Sequence, residues 1–168
     1  MDVEEEVESL IGAWRTERPD VSMESLRLSF PLRFALQSAE ARRSKLLARH
    51  GVTPATLDLL VALRRAGEPY VRTPSELARL LVLSSGGVSQ RLERLEEAGL
   101  LERSVNTDDR RVVYVQLTEL GLKTLDDVIG EYMRHEDAML HGLSERELQQ
   151  LARLLVKLDR SIKSTPDD

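Results

Sequence analysis

Apolar residues recur along this chain at helical spacing, give way once to alternation, and then return to helical spacing. Val3, Val7, Leu10, Ile11 and Trp14 mark a short amphipathic helix over 3–14. TERPDVS at 16–22 breaks it, because Pro19 disfavours helix at Arg18. A longer helix is expected from Met23 or Pro31 to His50, stopped by Gly51. Thr53-Pro54 reads as an N-cap with proline in the first turn. The helix it opens carries Leu57, Leu60 and Val61 and ends before Gly67-Glu68-Pro69. Tyr70-Val71-Arg72 is a short extended piece. Thr73-Pro74-Ser75-Glu76 is a capping box that opens a short helix through Leu77, Leu80 and Leu81. Leu83-Ser84-Ser85-Gly86-Gly87 turns into a second helix, Val88 to Ala98, closed by Gly99.

The period then changes. Leu101, Arg103 and Val105 lead to the polar tip Asn106-Thr107-Asp108-Asp109-Arg110, after which Val113, Val115 and Leu117 alternate with Tyr114 and Gln116. This pattern predicts a two-stranded hairpin. Thr118 caps a helix to about His141, and Ser144-Glu145-Arg146-Glu147 boxes the start of a last helix to about Lys163. Leu122, Leu125, Ile129 and Met133, with Leu148, Leu151, Leu155 and Leu158, form stripes too long for so small a core to cover. A second copy of the chain is the simplest cover. The fold class expected is mainly α with a small β-hairpin (α+β). Four segments follow: 1–22 an extra helix and linker, 23–52 an N-terminal dimerisation helix, 53–117 the compact middle, and 118–168 the C-terminal dimerisation helices.

Composition removes several chemistries. The chain has no cysteine, which excludes disulfides, thiol nucleophiles and thiolate metal sites. His50, His135 and His141 are far apart, so no metal site and no cofactor is expected. Ser85-Gly86-Gly87 lacks the rest of a phosphate loop, and no serine, histidine and acid cluster stands out, so the chain does not read as an enzyme. No apolar run reaches the roughly 20 residues of a membrane span. The acidic start MDVEEEVESL is unlike a signal peptide. A cytoplasmic protein without membrane contact is the expectation.

The net charge of −5 hides an uneven distribution. Residues 1–25 carry −6 and 119–168 carry −4, whereas 26–71 carry +5 and 72–118 are neutral. A chain that sets its middle on a polyanion and keeps its ends elsewhere has this profile.

Residues 73–103 join a capped helix, a tight Ser/Gly turn and a second helix, as in a helix-turn-helix whose second helix enters the DNA major groove. Thr73, Ser84, Ser85, Ser89, Gln90 and Arg94 are the candidate DNA contacts there. Small hydroxyl residues let backbone amides meet phosphate; Gln90 suits adenine, and Arg94 suits guanine or phosphate. Asp109, Arg110 and Arg111 sit at the hairpin tip, where the aspartate can pair with one arginine and aim the other at the minor groove or a phosphate. The rival reading is a helical interaction module that binds protein through its middle and has no sequence-specific DNA binding.

TPATLDLLVALRRAG, TPSELARLLVLSSGGVSQRLERLEEAGLLERS and DDRRVVYVQLTELG, taken together, resemble the multiple-antibiotic-resistance regulator (MarR) family. The last stretch carries that family's wing signature as Asp109-Arg110-Arg111, Val115, Leu117, Thr118 and Gly121. The likeness spans about 31–163. It implies a winged helix-turn-helix with long terminal dimerisation helices. It further implies a homodimer on a pseudo-palindromic double-stranded operator, acting as a ligand-responsive repressor. The extra helix ending in Trp14 looks like the branch whose best-known members respond to urate. With Asp58, Arg65 and Arg91 in matching places, that resemblance implies a site for a small organic anion such as urate. Asp58 and Arg65 share a helix face about 10 Å apart, so an acid and a base there can bracket a planar anion. The same residues can equally form an internal ion-pair network, with Trp14 as packing.

Overall fold

The computed structural model describes residues 2–107, 109 and 111–166. Among these described residues, seven helices and three strands follow one another: α1 (Val3–Glu17), α2 (Leu26–Ala48), α3 (Pro54–Arg64), β1 (Val71–Arg72), α4 (Pro74–Leu81), α5 (Ser85–Glu97), β2 (Leu101–Val105), β3 (Val113–Leu117), α6 (Glu119–Met139) and α7 (Glu145–Ser164). They fall into two compact units, Met1–Val128 and Ile129–Asp168.

The caps read from the sequence are present. α1 has a cap that was not read from the sequence, the Asp2 side chain, which accepts from the Glu4 amide. Thr53 accepts from the Thr56 amide at the start of α3. In both capping boxes, Thr73 with Glu76 and Ser144 with Glu147, side chain and backbone satisfy each other in both directions. The long second helix starts at Leu26, and Pro31 lies inside it. Proline there leaves only the Arg27 carbonyl without its i+4 donor, a defect that a 23-residue helix bears near its first turns.

The first unit centres on α3, with Leu57, Leu59, Leu60, Ala62 and Leu63 all buried. Leu46 and Leu47 from α2, Leu77 from α4, Val88, Leu92 and Leu95 from α5, and Leu101, Val115 and Leu117 from the sheet complete the core. α1 packs on α2 through Val7 and Ile11, which are 3% and 1% exposed. The Arg27 side chain of α2 bridges to Glu8 of α1 and to Glu24.

The hairpin is one part of a three-stranded antiparallel sheet of order β1-β3-β2. The expected two strands gain a third, because Val71 and Arg72 pair with Gln116 and Val115. Two residues carry no periodicity, and their partner is more than forty positions away, so the pairing leaves no local trace. Arg72 and Arg103 both lie opposite Val115, one on each side, and reach Glu76 of α4 (3.8 Å) and Glu96 of α5 (3.1 Å). Each edge strand is thereby tied to one helix of the helix-turn-helix.

The expected stripe on α6 divides. Gly121, Leu125 and Val128 are buried, so the first turns of α6 find cover within their own chain, whereas Met133 is 50% exposed. In the second unit α7 buries no residue, and Leu151, Leu154, Leu155 and Ile162 are 44%, 54%, 40% and 64% exposed. Among the described residues no helix is long and apolar enough to cross a membrane, and no group of three or more His, Asp or Glu is placed to hold a metal ion.

Candidate nucleic-acid interface and effector cluster

α4 and α5 are joined by a three-residue turn in which Val82 adopts a left-handed conformation (φ 53°) and Ser84 caps α5 by accepting from the Gly87 amide at 3.2 Å. α5 buries Val88, Leu92 and Leu95, a 3.6-residue period that fixes which side faces the core. Ser85, Ser89, Gln90 and Arg94 are consequently exposed. The Ser84 hydroxyl accepts within the cap, and the Thr73 hydroxyl donates to Glu76 at 3.0 Å. The first-turn amides of α5 stand beside the small side chains of Ser84 and Ser85, the arrangement that favours an anion.

At the wing tip the Asn106 carbonyl oxygen accepts from the Asp109 amide (3.0 Å), while its Nδ2 donates to the Tyr114 hydroxyl (3.0 Å). The Asp109 carboxylate accepts from the backbone amide of Arg111 at 2.9 Å. A short acceptor reaches the amide two residues on readily, and this bond fixes the turn. Arg111 is exposed. Arg110 lies outside the described residues.

The four positions singled out for a small anion are brought together only in part. Asp58 on α3 lies within electrostatic reach of Arg91 on α5 and of Glu40 and Arg43 on α2. Partial burial pushes the Asp58 carboxyl up, even though the residue as a whole is exposed. The Glu40 carboxylate pushes the same way, and Arg91 and Arg43 pull it back. Trp14 is 45% exposed on α1, and Arg65 is exposed as the C-cap of α3. Sequence reasoning missed Glu40 and Arg43, because no spacing along the chain relates α2 to α3 or α5.

Over 157 residues the chain is 31% identical to the HTH-type transcriptional regulator PecS of Dickeya dadantii, covering 94% of this chain and 95% of that one. The chain belongs to the MarR family. The MarR family model matches residues 50–112, from the end of α2 to the wing. A mutant MarR from E. coli, solved with operator DNA, shares the fold with a TM-score of 0.71 at 24% identity, over 82% of this chain and 99% of that one. BpsR of Bordetella bronchiseptica, whose DNA binding is regulated by 6-hydroxynicotinic acid, is 26% identical with a TM-score of 0.68, over 76% of this chain and 95% of that one. The MarR-family relatives are transcription regulators, not enzymes, and the winged helix-turn-helix expected from the sequence is the fold found.

Proposed function

We propose that the chain is a homodimeric repressor that binds a pseudo-palindromic operator and is released by a small organic anion. The observation that carries DNA binding is the division of α5: three apolar residues hold it to the core while Ser85, Ser89, Gln90 and Arg94 face outward beside an arginine-bearing wing. A recognition helix needs this division, and the MarR relative with operator DNA has the same fold. In this reading Thr73 and Ser84 set the helix starts against phosphate, and Arg110 and Arg111 reach flanking DNA with Asp109 fixing the turn. A second copy covers the bare apolar face of α7, and half-sites lie about 10 bp apart, one helical turn. A regulator of this kind works in the cytoplasm, where the chromosome is.

Asp58 and Arg91 carry the effector reading. An anion drawn to Arg91 and repelled by Asp58 pulls on α5 itself, and binding that disfavours the DNA-competent shape weakens DNA affinity by the same factor in both directions. DNA binding by BpsR is regulated by 6-hydroxynicotinic acid, a planar pyridine carboxylic acid, which favours a planar anion of that kind here; urate is another. Trp14 and Arg65 complete the site if the extra helix closes on it. Fluorescence anisotropy on the intergenic DNA beside its own gene tests both halves. Arg94→Ala is expected to cost about 1–3 kcal/mol on a defined operator. Urate and 6-hydroxynicotinate are expected to release wild type, and Arg91→Ala is expected to blunt that release. Unchanged affinity in Arg94→Ala removes α5 as the reader, and release that is equal in Arg91→Ala removes the effector assignment.

A further inference from the structure

Val88, Leu92 and Leu95 fix the inward side of α5. At 100° per residue the opposite line runs through Gln90 and Glu97, and Glu93 and Arg94 project about 50° to either side of it. All four are exposed. Gln90 and Arg94 are side chains that a DNA-reading helix uses, whereas a carboxylate at position 93 is turned towards a polyanion that repels it.

The other two acids of the last turns are accounted for. Glu96 meets Arg103 of β2 at 3.1 Å. Glu97 is the last residue of α5, farthest from the N-terminal end that enters the groove. Glu93 stands one turn beyond Gln90, and nothing on its own helix neutralises it: the residues three and four away are Ser89, Gln90, Glu96 and Glu97. Among the described residues it has no ion pair with any other element.

We propose that Glu93 is a specificity-determining residue of the operator contact, its carboxylate accepting a hydrogen bond from the N4 amino group of a cytosine. The inference rests on DNA binding by α5 as proposed above and names a base that this helix selects. The chemistry of the groove makes the choice. An ionised carboxylate only accepts. Guanine presents two acceptors, N7 and O6, in the major groove, and thymine presents the O4 acceptor beside a methyl group. Adenine sets its N6 donor next to the N7 acceptor, a pattern that suits the amide of Gln90 and opposes a carboxylate. Cytosine alone presents a donor with no acceptor of its own beside it.

The partner of that cytosine fits as well. Its guanine places N7 and O6 on the same groove edge as the amine. Arg94 projects from the other flank of the outward line, only about 1.5 Å further along the axis than Glu93. A carboxylate and a guanidinium side by side thus match the two halves of one C·G pair. In the reversed pair the carboxylate meets acceptors and the guanidinium meets the amine, so both contacts oppose the swap. Glu93 also lies about 4.5 Å along the axis from Gln90, between one and two base-pair steps of about 3.4 Å, so the two side chains address neighbouring positions. On a duplex without the cytosine the carboxylate faces only acceptors and phosphates, and selectivity arises by penalising the wrong sequence.

A cycle of changes on protein and DNA tests this. Wild type first selects an operator from a library of random duplexes. Each cytosine of a half-site is then replaced in turn by 2-pyrimidinone, which lacks the N4 amine, and the affinities of wild type and Glu93→Ala are measured by fluorescence anisotropy. Wild type is expected to lose about tenfold at one cytosine. Glu93→Ala is expected to lose less than about twofold at that position, so the two changes are not additive. On random duplex Glu93→Ala is expected to bind several-fold tighter, because a charge turned towards the phosphates is gone. Glu93 is exposed, so the variant is expected to keep the wild-type circular dichroism spectrum. A wild type that selects an operator but loses no affinity at any cytosine overturns the assignment of Glu93 and leaves DNA binding by α5 standing. So does a Glu93→Ala variant that suffers the same losses as wild type. A wild type that prefers no sequence over random duplex overturns both.

Discussion

A methyl group built on Gly121 would stand 2.0 Å from the Leu100 carbonyl oxygen and 3.0 Å from its carbon. The first turn of α6 thus lies directly on the turn that joins α5 to β2. Thr118 holds the two together, donating to the Gly99 carbonyl at 2.7 Å and accepting from the Gly121 amide at 3.0 Å. The clash is with backbone, which no rotamer change relieves. Gly121→Ala is therefore expected to destabilise the fold by about 2–3 kcal/mol in urea unfolding. A loss under about 0.5 kcal/mol would show that the two segments separate freely.

Val82 offers the opposite case. It is a β-branched residue held at φ 53° and 91% exposed, so it bears left-handed strain with little packing in return. That conformation costs an ordinary residue about 1–2 kcal/mol, and glycine adopts it freely at a smaller entropic cost. Val82→Gly is expected to raise stability by about 0.5–1 kcal/mol. A lower unfolding midpoint would mean that the exposed side chain has a contact to lose.

Asp58 makes stability depend on pH. Its carboxyl is held above the usual aspartate value, first by partial burial and then by Glu40. The native state therefore binds this proton more tightly than the unfolded chain does, and stability falls as pH rises from the ordinary aspartate range through the native value. Asp58→Asn removes that dependence. The variant is expected to melt higher than wild type at pH 7 and to match it near pH 3. Equal melting temperatures at pH 7 would show that Arg91 and Arg43 fully offset the penalty.

Arg111 is exposed beside a wing turn braced by Asn106, Asp109 and Tyr114. If it neutralises one phosphate, Arg111→Ala lowers operator affinity and reduces the log–log salt slope by about 0.9. An unchanged slope with lower affinity would instead indicate base contact, and no change in either would remove Arg111 from the interface.

What local sequence determined here is what local physics controls. Thr53, Thr73, Thr118 and Ser144 each sit where a hydroxyl can accept a first-turn amide within three residues, so these helix starts were legible one by one, whereas α5 begins at Ser85 behind a Ser84 cap, three residues before the Val88 start expected from its apolar period. The core face of α5 followed from its period, and its outward face followed from the core face. The tertiary structure decided everything that needed two distant segments. It paired β1 with β3, placed the Leu100 carbonyl where only a glycine fits, and covered the first half of the α6 stripe. It set Glu40 and Arg43 of α2 near Asp58 and Arg91, while Arg65, its expected neighbour along α3, is an exposed C-cap. Backbone pairing, close approach and Coulomb coupling act through space, and chain spacing carries no record of them.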